Sequence, residues 1–483
     1  MKEYDLIVVG SGSAMNVVEP FMNRNPKAKV AVIDKDDPGG ICLTRGCIPS
    51  KLLLYPAEVV STIMRAHEFG IDVKFNGVDF KRVMGRMRSI IDNDIDMIRQ
   101  GLSKSDNIDY FHDTAEFTAP YVMKVGRETI NGRMIYLCVG SRTTIPGIKG
   151  IDGVDYLTSD SVLYLKELPK SIIIVGGGYI AAEYSQFFSS MGSSVTIIGR
   201  NQRLLPGLEP EISELVRREL SKRMEVLTGC EATSVISVAG GKRIEFKNRS
   251  SGETGIREAE RIMLAVGRGP VTDILHPERA GIKTTRAGWI EVNEFFETSL
   301  PNVWAFGDAD GKYLFKHVAN YESIVVYYNS VAGERIRADY HAVPFAVFTY
   351  PEVAGVGMTE AQAIERYGKD GILIAFCRFE DTAKGEAMGL KDYFVKGIIS
   401  KEDREILGAH IVGPEASVLI QEVINLMYTD DMDSGILTRA MHIHPSLSEV
   451  VERAFQSLHT VEQYHHMLEE TYTPPLSVFS LKT

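Results

Sequence analysis

Gly39-Gly40-Ile41-Cys42-Leu43-Thr44-Arg45-Gly46-Cys47-Ile48-Pro49-Ser50-Lys51 carries two of the chain's five cysteines, with four residues between them. Thiolates form most readily at helix N-termini and beside cations. Both conditions are expected here, because Ile48-Pro49-Ser50-Lys51 begins a helix and Lys51 falls one turn beyond Cys47. A zinc site would need two more ligands at short spacing, and none stands nearby, so no metal is expected. Cys42 and Cys47 therefore read as a redox-active pair.

Upstream, residues 4–9 (YDLIVV) form an apolar run entering Gly10-Ser11-Gly12, and a strand over 29–33 ends at Asp34. This is the start of a βαβ unit. In Gly10-x-Gly12-x-x-Met15 the glycines let the chain turn tightly and approach a pyrophosphate seated on the helix N-terminus. Met15 stands where Gly or Ala normally lets helix and strand pack closely, so by itself the motif also reads as a plain tight turn. Asp34 is placed to hydrogen-bond a ribose hydroxyl. Residues 171–175 (SIIIV) repeat the theme, followed by Gly176-x-Gly178-x-x-Ala181 and a strand over 194–198. The chain thus holds two dinucleotide-binding units about 165 residues apart.

The end of the second unit's second strand bears on nucleotide choice. An NAD site normally places Asp or Glu there to bind the ribose 2′-OH. Here Gly199-Arg200 follows the strand, and Arg203 comes after it. A carboxylate would repel a 2′-phosphate, whereas a guanidinium grips it bidentately. The expectation is NADP over NAD; a solvated Arg200 tolerating both is the alternative. After each unit a short apolar strand ends in glycine, at Gly140 and at Gly267, and Val303–Phe306 runs into Gly307-Asp308.

From about residue 341 the pattern changes. Strands over 345–349, 394–399 and 407–412 and helices over 359–367, 416–429 and 447–458 suggest an α+β domain. In it, His444-Pro445-Ser446-Leu447-Ser448-Glu449 places a carboxylate five residues after a histidine. Such a dyad fixes the imidazole tautomer and raises its basicity, and could serve a dithiol, although alone it also reads as a surface histidine. His465-His466 reads as surface. Helices are also expected over 56–69 and 79–104.

Composition bounds the rest. The 483 residues suggest two to four domains, and 44% hydrophobic with 24% charged residues is ordinary for a globular protein. A net charge of -11 argues against a nucleic-acid partner. No apolar run reaches the roughly 18 residues of a membrane span. With a strand starting at Tyr4 and an odd number of cysteines, a cytoplasmic protein without a disulfide framework is expected. Cys138 reads as buried and inert.

In order, the glycine turn, the GGxCxxxxGCIPSK stretch, the second turn with Tyr179 and Glu183, Phe306-Gly307-Asp308 and HPxxxE resemble the FAD-dependent pyridine-nucleotide–disulfide oxidoreductases, the group of dihydrolipoamide dehydrogenase, glutathione reductase, mycothione reductase and mercuric reductase. The resemblance spans roughly residues 4–460. It implies an α/β fold with two Rossmann-like dinucleotide-binding domains and a C-terminal α+β dimerisation domain. The boundaries expected are 1–155 with 271–340 for FAD, 156–270 for NAD(P)H, 341–470 for the interface, and a tail at 471–483 that packs on a partner. It further implies that Gly10, Gly12 and Asp34 hold the adenosine end of FAD and that Asp308 binds its ribityl–pyrophosphate region. Cys47 would face the flavin and Cys42 would exchange with substrate. Lys51, paired with Glu183, would lie near the flavin, and Tyr179 would cover the nicotinamide pocket. His444 and Glu449 would serve the dithiol across a homodimer interface. The substrate implied is a small dithiol or disulfide, as in a dihydrolipoamide dehydrogenase; the alternative is an NADPH-dependent reductase of a low-molecular-weight disulfide of the mycothione or glutathione reductase kind. A third reading makes the chain a docking component of a 2-oxo-acid dehydrogenase complex, where binding a core subunit matters as much as catalysis. Thr44-Arg45 between the cysteines departs from the common Asn-Val, and the tail carries no cysteine pair of the mercuric reductase kind.

Overall fold

The computed structural model describes residues 1–472. Its first sheet holds five parallel strands in the order Val303–Ala305, Ile135–Leu137, Leu6–Val9, Val30–Asp34 and Ile108–His112. Parallel strands are covered on both faces, so they read as continuous apolar runs rather than alternating ones. Leu6–Val9 is buried at every position. Parallel alignment also gathers the strands' carboxyl ends at one edge, which is where open α/β sheets bind their ligands.

The second unit repeats this on a four-stranded parallel sheet ordered Glu225–Leu227, Ser194–Ile198, Ser171–Val175 and Arg261–Leu264. The repeat extends to individual atoms. Gly10 N–H donates to Ile33 O at 2.8 Å, and Gly176 N–H to Ile198 O at 2.9 Å. Both glycines have positive φ, 99° and 143°, and a Cβ would stand 2.1 Å from Cys138 O in one case and 2.2 Å from Ala265 O in the other. Each turn therefore excludes any side chain at its first position, because backbone, not a movable side chain, occupies the space.

The C-terminal part is a six-stranded antiparallel sheet, Phe345–Val347, Val353–Gly357, Ile406–Val412, Phe394–Ser400, Ile372–Arg378 and Leu458–His459. Its strand Phe394–Ser400 is buried throughout, including Lys396. The Lys396 ammonium meets Glu209, Glu211 and Glu360 at 2.9, 2.6 and 2.7 Å. Glu209 and Glu211 belong to the start of helix Pro210–Ser221, behind the second nucleotide turn. Tyr464 OH donates to Glu211 at 2.7 Å, and His465 pairs with Glu360 at 2.6 Å. The ammonium holds the Glu360 carboxyl down to about 2, against the cost of burying it. An ion cluster thus fastens the second nucleotide unit to the C-terminal sheet. The sequence reading of His465 as a surface residue is corrected here: helix Val461–Thr471 turns it inward onto this cluster.

Local signals explain the helix ends. Asp79 caps helix Phe80–Ser103 by accepting from Arg82 N–H at 3.0 Å, and Thr359 and Gln362 form a capping box on helix Glu360–Tyr367. The helix expected over 56–69 is the end of a longer one, Cys47–Arg65. Pro49 sits in its first turn, where a missing N–H costs nothing, and Pro56 is accommodated inside it. The tail expected to pack on a partner lies outside the described residues beyond Tyr472.

Candidate active site

A cleft of about 880 Å³ runs along the carboxyl edge of the first sheet. One end lies between Asp34 and Asp113–Ala115, the middle passes Gly10–Ser13 and Asp308, and the far end is closed by Cys47, Lys51, Tyr179 and Phe348. Small-molecule pockets run from about 300 to 1,000 Å³, so this one has room for an extended dinucleotide. Its donor set suits one: a glycine turn opening helix Met15–Arg24 for a pyrophosphate, and carboxylates at the ribose ends. These residues fit FAD.

The dithiol sits at the far end. Cys42 lies in the short helix Gly40–Thr44, and Cys47 is the first residue of Cys47–Arg65, where the positive end of the helix dipole favours a thiolate. A hydrogen bond from the Cys42 thiol and the nearby Lys51 ammonium lower Cys47 to about 7, against burial. The same hydrogen bond, with burial, pushes Cys42 up, so Cys42 is the thiol of the pair. Lys51 Nζ is held by Glu183 at 2.8 and 3.0 Å, and it lies 4.5 Å over the Phe348 ring. Phe348 N–H donates to the same carboxylate at 3.1 Å. Glu183 is buried, on helix Tyr179–Met191.

Tyr179 opens that helix, its ring between those of Phe315 and Phe345, at 6.3 and 6.2 Å and within 15° of parallel. Asp308 accepts from Ser141 Oγ at 2.5 Å, and burial pushes its carboxyl up. Arg268 bonds the hydroxyl and carbonyl of Ser141, both at 2.7 Å. Asp34 lines the cleft and also buttresses the first turn: its Oδ2 accepts from Ser11 N–H at 2.8 Å and Ser11 Oγ at 2.6 Å. Gly12, Gly140 and Gly307 line the cleft as well. Cys138 is half-buried on the cleft wall, its thiol pushed up by burial and donating to Phe306 O at 3.5 Å.

Two groups of expected residues lie elsewhere. Around the second turn, Leu205 N–H donates to Gly177 O at 2.7 Å and Gly199 packs against Gly177, so segment 199–205 folds over Gly176–Gly178. Arg200 and Arg203 are exposed on it, and no acidic residue stands at the end of strand Ser194–Ile198. Gly267 stands in the short connection between strands Arg261–Leu264 and Arg268–Pro270, with φ 122°. His444 and Glu449 do not line the cleft. His444 Nδ1–H donates to Glu449 Oε1 at 2.9 Å, and Ser446 N–H to Oε2 at 3.0 Å. These contacts hold the Glu449 carboxyl below its usual range. The imidazole is 68% exposed, held to Glu449 through Nδ1. Sequence reasoning missed Phe315, Phe345, Arg268 and Lys316. Each owes its place to a residue far off in the sequence, as Phe315 does to Tyr179, and only Lys316, at the start of helix Lys316–Tyr327, carries a local sign, a charge at a helix N-terminus.

The chain belongs to the pyridine nucleotide-disulphide oxidoreductases: residues 4–324 match that family, and residues 343–455 match its dimerisation domain. The family binds FAD and uses NAD(P)H. Among curated relatives, a dihydrolipoyl dehydrogenase of Synechocystis is 32% identical over 94% of this chain and 98% of its own length. A mycothione reductase of Mycobacterium tuberculosis is 34% identical over 95% of this chain and 100% of its own. Among solved structures, the Cu(II) complex of the HOCl-induced flavoprotein disulfide reductase RclA of Escherichia coli superposes with a TM-score of 0.84 at 27% identity, covering 94% of this chain and 99% of that one. The chain is thus an oxidoreductase of mixed α/β fold that exchanges electrons between a nicotinamide nucleotide and a disulfide. No helix among the described residues is long and apolar enough to cross a membrane.

Proposed function

We propose that this chain reduces a low-molecular-weight disulfide with NADPH, using Cys42 and Cys47. The observation that carries the reading is the dithiol lining the cleft, with Cys47 at the N-terminus of helix Cys47–Arg65 and one turn from Lys51, which favours its thiolate and leaves Cys42 the thiol. Bound FAD supplies the two-electron relay that regenerates the dithiol. Cys42, kept protonated, needs a base before it can attack. His444 of the partner subunit serves, its Nε2 made available by Glu449. The Cys42 thiolate attacks one substrate sulfur and expels the other as a thiol that takes the proton from the imidazole. Cys47 then attacks the Cys42 sulfur, releasing the second thiolate and closing the Cys42–Cys47 disulfide. Two thiols form from one disulfide, and the dithiol's two electrons account for both.

The NADPH preference rests on Arg200 and Arg203 beside the second glycine turn with no carboxylate at the strand end. Tyr179 covers the nicotinamide pocket, Lys51–Glu183 sets the field at the dithiol, and Gly10, Gly12, Asp34, Gly140, Gly307 and Asp308 hold FAD. Gly176, Gly178 and Gly267 line the nicotinamide-nucleotide side. A second reading, dihydrolipoyl dehydrogenase serving a 2-oxo-acid dehydrogenase core, is favoured by the 32% identity to such enzymes over nearly the whole chain. Steady-state kinetics with NADPH and NADH against lipoamide and small disulfides separates them. NADPH preference with poor lipoamide turnover supports the first; strong lipoamide turnover with NAD(H) refutes it and supports the second.

A further inference from the structure

Five cationic side chains line the cleft, and four have a carboxylate beside them. Lys35 and Arg45 share Asp36, both at 2.6 Å; Lys51 is held by Glu183; Arg268 lies 3.9 Å from Asp160 and is bonded to Ser141. The fifth, Lys316, has no carboxylate partner among the described residues. Its Nζ donates to Ser13 Oγ at 2.8 Å, and Ser13 Oγ in turn donates to Asn320 Oδ1 at 3.0 Å. An ammonium has three donors, and only one is used here. Ser13 is the last residue before Ala14, the N-cap of helix Met15–Arg24, and it lies in the turn where a pyrophosphate would sit. An uncompensated cation lining an 880 Å³ cleft, tied to a phosphate-type turn, is placed to meet an anion.

We propose that Lys316 is a cofactor-binding residue of this chain, and that its ammonium, positioned by Ser13, is the counter-charge for the pyrophosphate of FAD. This rests on the reading of the cleft as the FAD site. The first glycine turn, Gly10-Ser11-Gly12-Ser13-Ala14-Met15, offers neutral backbone amides and no cationic side chain, so Lys316 from a helix about 300 residues later supplies the charge the turn itself lacks. A packing role, tying helix Lys316–Tyr327 to helix Met15–Arg24, is the competing account.

The test is FAD binding to protein stripped of flavin, read from flavin fluorescence, for the wild type, Lys316→Gln and Lys316→Arg. Lys316→Gln is expected to weaken FAD roughly tenfold to a hundredfold, the range of one charge-assisted hydrogen bond. Lys316→Arg keeps the charge and stays within about threefold of wild type on the same scale. The gap between wild type and Lys316→Gln narrows in high salt, and the flavin-free proteins melt together. ADP, used as a competitor, loses the same factor as FAD, and adenosine loses none. Equal FAD affinity in Lys316→Gln overturns the proposal. So does a lowered melting temperature of the flavin-free variants, or their failure to fold, which assigns Lys316 to packing. Weakened FAD with unchanged ADP moves the charge to the flavin ring and overturns the pyrophosphate assignment. A wild-type chain that binds no FAD refutes the reading of the cleft itself.

Discussion

Replacing Lys396 by Met tests the ion cluster that joins the second nucleotide unit to the C-terminal sheet. The side chains are similar in length, so packing is nearly kept while the ammonium is lost. Three carboxylates whose oxygens lie within 4.8 Å of one another then remain in a buried site. Removing one partner of a buried ion pair costs about 3–5 kcal/mol. At about 2–4 °C per kcal/mol for a cooperative unit of 150–250 residues, thermal unfolding should begin roughly 6–20 °C lower. The pH dependence discriminates more sharply. In the native chain Glu360 is lowered to about 2 from 4.5, so its contribution is full above pH 4.5 and is lost as pH falls toward 2. In the variant, burial and mutual repulsion raise the carboxyls above their unfolded value. The folded variant then binds extra protons, and its stability falls as pH rises. Thermal unfolding at pH 5.5 and 8 should therefore show a native protein that loses only what His465, raised by its bond to Glu360, gives up as it deprotonates, and a variant that loses far more over the same interval. A variant within about 1 kcal/mol of native, or one sharing the native pH profile, refutes the reasoning.

At the dithiol, Cys42→Ser should abolish disulfide reduction while leaving Cys47 open to alkylation, and retained turnover would remove Cys42 from the exchange step. In the reduced native protein, iodoacetamide should label Cys47 with a half-maximal rate near pH 7, because the hydrogen bond from Cys42 and the Lys51 charge favour its thiolate. Lys51→Met should move that midpoint upward, and an unmoved midpoint would show that Lys51 does not act on Cys47. Arg200→Ala should raise KM for NADPH by roughly tenfold to a hundredfold, the worth of a charge-assisted contact, and leave NADH nearly unchanged. Equal effects on the two nucleotides would dismiss the 2′-phosphate contact.

The sequence disclosed what is encoded over short spans. Both glycine turns, the dithiol and its helix, Lys51 and the His444–Glu449 dyad are local patterns whose geometry follows from a few neighbouring residues, and the two parallel sheets follow from apolar runs ending in glycine. Lys396 was illegible for the opposite reason. Within a strand reading Phe394-Val395-Lys396-Gly397-Ile398, a lysine looks like an outward-facing side chain. Its carboxylates stand 187, 185 and 36 residues away, and their convergence exists only after two units dock. The packing of Tyr179 between Phe315 and Phe345 is hidden in the same way, because each ring comes from a different part of the chain. His444 is the intermediate case: its dyad is visible locally, but its distance from the cleft of its own subunit is not.

The lining of the cleft begins at Val9 and is not complete until Phe348. During synthesis, at about 5–20 residues per second, these two residues leave the ribosome roughly 17–70 s apart. Asp308 and Lys316 follow the first glycine turn only after about 300 residues and Phe348 comes last, so through most of that interval the nascent chain holds no enclosed cleft. With the cleft as the proposed flavin site, loading is expected to follow synthesis of nearly three quarters of the chain.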